Sequence, residues 1–161
     1  MISIVFFYSR TNNTQFVSEV ITNTLGSELV PLKDKKKRLG ALGWLLAGRD
    51  ALLERKTEIE PVKTDLDKYD LIFLGCPNWA GKMPPAMRTF LETVDWADKK
   101  VVLFCTQDGM GAERVFNNLR RLIQGAEIVS EKYFNKVNQD KDAVRLQVKN
   151  WLENLNTNIS H

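Results

Sequence analysis

Three stretches of this chain are apolar at almost every position: residues 2–8, 71–76 and 101–105. Each has the length of a strand, and none alternates apolar with polar. A strand that is apolar on both faces has to be covered on both faces, which is the habit of a central strand in a parallel sheet with helices above and below. Each run is followed by a polar or glycine-containing loop and then by a stretch with helical spacing. After the first, Phe16, Val17, Val20, Ile21, Thr24 and Leu25 share a stripe, and Gly26 offers a stop. After the second, Pro84 and Pro85 open a helix whose apolar face includes Met87, Phe90, Leu91 and Val94. After the third, Val115, Phe116, Leu119, Leu122 and Ile123 repeat the pattern and Gly125 ends it.

Weaker strands are expected at 28–32 and 127–134. A last helix is expected at 141–155, with Val144, Val148, Trp151, Leu152 and Leu155 on one stripe. The stretch 39–53, marked by Gly40, Gly43 and Gly48, reads as the second crossover. There Trp44, Leu45, Leu46, Leu52 and Leu53 cover the sheet, or Trp44 stands over a ligand. The alternation of strand and helix means an α/β fold with a parallel sheet between two helical layers. At 161 residues one domain, 1–161, accounts for the chain.

Composition narrows the function. With 43% hydrophobic residues, 27% charged and a net charge of +3, the chain belongs with globular proteins rather than disordered ones. No run reaches the length of a membrane span, and the first residues lack the pattern of a signal peptide, so a cytoplasmic protein is expected. The basic run at 33–38, broken by Asp34, reads as a solvated loop, with docking to an acidic partner or substrate as the alternative. As a nucleic-acid signal it is weak, and no nucleic-acid partner is expected. The one histidine, His161, excludes a His-based triad and leaves no His-rich metal site, so neither a catalytic side chain nor a metal is expected. Cys76 and Cys105 end two apolar runs without CxxC spacing and read as buried small hydrophobes.

Three loops leave the carboxyl ends of the long apolar runs, where the ligand crevice of a doubly wound sheet lies. The first, Ser9, Arg10, Thr11, Asn12, Asn13 and Thr14, offers hydroxyls, amides and backbone N–H groups at a helix amino terminus, which suits a phosphate. A plain polar turn with Asn13 or Thr14 as N-cap explains it equally well. The second contains Pro77, Asn78, Trp79, Ala80 and Gly81, where an indole can stack on a flat ring or serve as ordinary cover. The third contains Thr106, Gln107, Asp108 and Gly109, then Met110 and Gly111. It can read the polar edge of a heterocycle or be a strand-to-helix turn. The conjunction of an anion site, a stacking residue and an edge reader at one rim favours a ligand.

Residues 8–14, Tyr-Ser-Arg-Thr-Asn-Asn-Thr, resemble the flavodoxin phosphate-loop signature of an aromatic residue followed by Ser, X, Thr, Gly, Asn and Thr. Residues 75–81 and 84–91 resemble the G-x-P-x-W-x-G and P-x-x-R-T-F-L block of short flavodoxin-family proteins, and residues 105–111 resemble their third flavin loop. The basic, then glycine-punctuated stretch 35–51 is similar to their second crossover. The resemblance implies a flavodoxin-like three-layer α/β/α sandwich whose five-stranded parallel sheet has the order 2-1-3-4-5. It also implies FMN, with its phosphate held by Ser9, Arg10, Thr11, Asn12, Asn13 and Thr14. The isoalloxazine would lie between Pro77, Asn78, Trp79, Ala80 and Gly81 on one side and Thr106, Gln107, Asp108 and Gly109 on the other. Two departures stand out: Asn12 occupies the signature's glycine, and Asp108 adds a negative charge beside the ring.

The activity implied is electron transfer through the bound flavin to a redox partner protein. The alternative enzyme would use NAD(P)H to reduce a quinone or other small-molecule acceptor, favoured by a basic charge unusual for an electron carrier. A further alternative is a flavin-free binding module, which Asn12 keeps open.

Overall fold

The computed structural model describes residues 1–35, 45, 49 and 56–159. Its strands are β1 (Ser3–Phe7), β2 (Glu28–Pro31), β3 (Leu71–Pro77), β4 (Lys100–Gln107) and β5 (Glu127–Asn135). The helices among the described residues are α1 (Asn13–Leu25), α2 (Pro85–Glu92), α3 (Ala112–Leu122) and α4 (Lys141–Ile159), with a short 3₁₀ turn at Leu66–Lys68. All strands are parallel and the order is β2-β1-β3-β4-β5. This is the expected α/β order.

Burial explains why β1, β3 and β4 have no polar face. Ile4, Phe6, Ile72, Leu74, Cys76, Val101, Leu103 and Cys105 pack against Met87, Phe90 and Leu91 of α2 and Val115, Phe116 and Leu119 of α3. The alternate residues Val5, Phe7, Leu71, Phe73, Val102 and Phe104 pack on the other side against Val17, Val20 and Ile21 of α1 and Val144, Val148, Trp151 and Leu152 of α4. The period of two along each strand thus feeds two separate cores, one per helical layer. Gly75 is the exception that packing requires: a Cβ there would meet the Phe104 ring at 1.9 Å. The edge strands β2 and β5 are only partly buried, which is why their sequence signal is weak.

Small differences from the expected elements have local causes. Ile2 is exposed rather than in β1, while its backbone N–H donates to Asp70 Oδ2 (2.6 Å). Thr24 is solvent-facing, its hydroxyl donating to the Val20 carbonyl within α1. Helix α4 runs on to Ile159, and β5 carries a bulge opposite Val101 and Val102. The expected crossover at 39–53, including Trp44, residues 36–38 of the basic run, and His161 lie outside the described residues, apart from Leu45 and Arg49. Among the described residues no helix is long and apolar enough to cross a membrane.

Candidate functional site

In this order of strands the connection from β1 runs to one side and the next strand, β3, lies on the other. That switch opens a crevice at their carboxyl ends. A cavity of about 290 Å³ lies there, lined by Arg10, Thr11, Asn13, Pro77, Asn78, Trp79, Ala80, Thr106, Gln107 and Asp108. All three loops singled out from the sequence meet in it. Ser9, Asn12, Thr14, Gly81 and Gly109 do not line it. Ser9 buries its Oγ at the base of the first loop, Thr14 is bonded to Thr106, Asn12 caps a helix, and Gly81 and Gly109 face a neighbouring hollow.

The first loop turns on Asn12. It is the N-cap of α1, one residue earlier than expected, in the left-handed conformation (φ 64°, ψ 3°). Among non-glycine residues asparagine tolerates this conformation best. Its side chain makes no capping bond, while its carbonyl accepts from the Phe16 N–H at 3.0 Å. Thr14 cannot cap because its hydroxyl is committed below the cavity to the Thr106 hydroxyl, 2.7 Å away, tying the first loop to the third. The first turn of α1 contains no acidic residue, so its positive end is not offset locally. The Ser9 Oγ is buried and has no hydrogen-bond partner among the described residues, an expensive state for a hydroxyl unless a ligand completes it.

The second loop is built on a tight reversal. Trp79 and Lys82 exchange backbone hydrogen bonds, each 3.0 Å, around Ala80 (φ 54°) and Gly81 (φ 81°). Two successive positive φ values are what a type I′ turn demands. The reversal stands Trp79 at the mouth, its ring edge-on to Tyr8 with centroids 5.5 Å apart. Asn78 clamps this loop to the third. Its amide nitrogen donates to Gln107 Oε1 (2.9 Å) and to the Met110 carbonyl (2.9 Å), and its Oδ1 accepts from the Gly81 N–H (2.6 Å). Its own backbone N–H donates to the Thr106 carbonyl at 2.8 Å.

In the third loop Asp108, Gly109 and Met110 are exposed, and Met110 is 92% so. A second hollow of about 440 Å³ continues from the cavity, sharing Asn78, Ala80, Gln107 and Asp108 and adding Gly81, Gly109, Met110, Gly111 and Arg114. Arg114 was not legible as a site residue, because in the sequence it is one more charged residue in the first turn of an amphipathic helix. Tyr8, at the end of β1, is likewise readable only as core until Trp79 is seen against it.

Neither cysteine offers a nucleophile. Burial pushes the Cys105 thiol up to about 12 and the Cys76 thiol well above its ordinary range, so both stay protonated. Among the described residues no group of three or more His, Cys, Asp or Glu side chains could hold a metal. What the site offers is a loop of hydroxyls and amides at a helix amino terminus, an indole at the mouth and a polar edge.

A family model described as Flavodoxin matches residues 4–155. No curated protein matches the chain. Among solved structures, it is similar to a flavoprotein in complex with FMN from Lactobacillus acidophilus, with a TM-score of 0.72 at 22% identity over 86% of this chain and 96% of that one. It is also similar to oxidised flavodoxin 2 from Bacillus cereus, with a TM-score of 0.61 at 19% identity over 98% and 99% of the two chains. A P. pentosaceus protein described as an NADPH-quinone reductase superposes with a TM-score of 0.57 at 12% identity, over 92% and 93%. With the family model covering nearly its whole length, this chain belongs to the flavodoxin family.

Proposed function

We propose that the protein binds FMN non-covalently in the cavity and transfers electrons through it. The observation that carries this reading is the buried Ser9 hydroxyl, which has no partner among the described residues and stands beside a loop whose helix has no acidic residue in its first turn. A phosphate monoester would supply the missing acceptor. Family membership supports FMN, as does likeness to a flavoprotein whose structure contains it.

The residues present fit the group. Ser9, Arg10, Thr11 and Asn13, with Asn12 setting the loop, would hold the phosphate, and Thr14 braces the loop from below through Thr106. Trp79 would form one wall for the ring, and Thr106, Gln107 and Asp108 would face its edge. Asn78 ties the second loop to the third through two side-chain bonds, to Gln107 and Met110, and braces its own loop through a third, from Gly81. FMN, when bound, supplies the electron-accepting and electron-donating centre. The chain's task is to bind it, orient it and set its electrostatics. The Asp108 carboxylate opposes gain of negative charge nearby, so it lowers the potential at which the site accepts electrons.

A second reading, an NAD(P)H-dependent reductase of a quinone or similar acceptor, is favoured by the positive net charge and by likeness to a protein described as an NADPH-quinone reductase. Two measurements on the purified protein sort these readings. A flavin absorbance spectrum retained through desalting supports FMN binding, and a colourless protein that takes up none contradicts it. Steady-state NADPH or NADH consumption with a quinone supports the enzyme, and its absence with a flavin-loaded protein supports the carrier.

A further inference from the structure

Thr14 and Thr106 are the buried polar side chains that join the first loop to the third. They are 1% and 3% exposed, and their hydroxyl oxygens lie 2.7 Å apart across 92 residues of chain. Two hydroxyls carry two hydrogens, and the bond between them uses one. The other hydrogen needs an acceptor, and the two orders of donation send it to different places.

If Thr106 donates to Thr14, the spare hydrogen sits on Thr14, which does not line the cavity. Among the described residues it has no acceptor there, since the Thr14 hydroxyl bonds only Thr106 and the buried Ser9 Oγ of the same loop has no partner at all. A buried hydroxyl hydrogen left unpaired is costly. If Thr14 donates to Thr106, the spare hydrogen sits on Thr106, which lines the cavity and can offer it to water or to a ligand. Nothing competes with Thr14 for the Thr106 hydroxyl oxygen. The Asn78 N–H and the Cys105 thiol both donate to the Thr106 carbonyl instead.

We infer that Thr14 donates to Thr106 and so fixes the Thr106 hydroxyl as a donor into the cavity, which selects a ligand presenting an acceptor atom at that point. Thr14 is then a positioning residue that acts through Thr106, and its hydroxyl is not one of the groups that hold a phosphate. A hydroxyl that accepts one hydrogen bond donates a stronger one. The pair therefore favours a ligand that gains negative charge at its acceptor, in opposition to the Asp108 carboxylate on the same cavity. That the ligand is a flavin, which has acceptors along its polar edge and gains electrons on reduction, rests on the flavin reading of this cavity. The order of the two hydrogens does not.

The order is read from the threonine Cβ resonances of flavin-free protein in an equal mixture of light and heavy water. A hydroxyl whose hydrogen exchanges slowly gives two Cβ signals, one for each isotope, and a fast one gives a single averaged signal. Thr14 should give two signals and Thr106 one, because only the Thr106 hydrogen meets water in the cavity. Any other pattern, above all the reverse, overturns the inference. On FMN-loaded protein, Thr14→Val keeps the shape and removes the hydroxyl. Reduced FMN should then lose several-fold more affinity than oxidised FMN, read as a fall in the potential of bound FMN against free, and Thr14→Ser should restore the ratio. A ratio that is unchanged in the folded Thr14→Val variant overturns the inference. So does one that rises, since a Thr106 hydrogen freed from Thr14 would become a new donor to the ligand. A protein that takes up no FMN sinks the flavin reading and leaves the isotope pattern to decide the order alone.

Discussion

Two residues of the candidate site hold backbone conformations that their side chains disfavour, and they can be told apart. Asn12 and Ala80 both sit at positive φ, 64° and 54°. Asparagine tolerates the left-handed region, whereas alanine brings its Cβ against the following carbonyl for about 1–2 kcal/mol. Ala80→Gly should therefore stabilise the fold by about 0.5–1 kcal/mol after the entropy of glycine is counted, and Asn12→Ala should destabilise it by about 1 kcal/mol. Urea unfolding of the two variants checks both signs. The place of Asn12 at the glycine of the resembled signature was readable in the sequence. Its role as N-cap was not, because it caps through its left-handed backbone and without a side-chain bond.

The cysteines give a pH dependence with a definite sign. Both thiols are raised above the ordinary value of 9.0, Cys105 to about 12, through burial. The unfolded chain loses these protons at lower pH than the folded one, so their contribution to stability is intact below the ordinary thiol range and declines as pH rises through it. Replacing Cys105 by Val should flatten the alkaline fall in stability. In the native protein neither thiol should react with a disulfide reagent until the chain unfolds.

At the scale of elements, the site depends on a clamp between two loops. Asn78 satisfies both amide hydrogens and its carbonyl oxygen across the β3–α2 and β4–α3 loops. At about 1 kcal/mol net for each such bond, Asn78→Ala should cost roughly 1–3 kcal/mol. It should also loosen the Trp79 wall, seen as a red-shifted, more quenchable tryptophan emission against a background of the other indoles. Asn78→Asp should restore the bond from Gly81 and lose the two donated ones, giving an intermediate effect. The strands and helices flanking these loops were legible, because continuous apolar runs in β1, β3 and β4 and helical stripes in α1 to α4 each state one burial requirement. The edge strands were fainter, since β2 and β5 each expose one side. The clamp was invisible, since no local pattern ties Asn78 to Gln107 and Met110, 29 and 32 residues away.

For the whole molecule, topology does most of the positioning. A parallel sheet in the order β2-β1-β3-β4-β5 sends the β1, β3 and β4 loops to one edge, so residues scattered from Arg10 to Asp108 surround a single cavity. The conjunction of three loops could be anticipated from the sequence. Which of their residues line the cavity could not, because Thr14 is taken by Thr106 and Gly81 and Gly109 face the neighbouring hollow. The same arrangement gathers the amino ends of the four described helices on that edge, where they favour an anion.

If this edge holds a phosphorylated flavin, titration of flavin-free protein with FMN, followed by flavin fluorescence, reads it out. Quenching should saturate at equimolar FMN, with riboflavin, which lacks the phosphate, binding at least about tenfold more weakly for want of charge-assisted bonds worth about 1.5–3 kcal/mol each. A folded protein that leaves FMN fluorescence unchanged, or binds riboflavin as tightly as FMN, would contradict it.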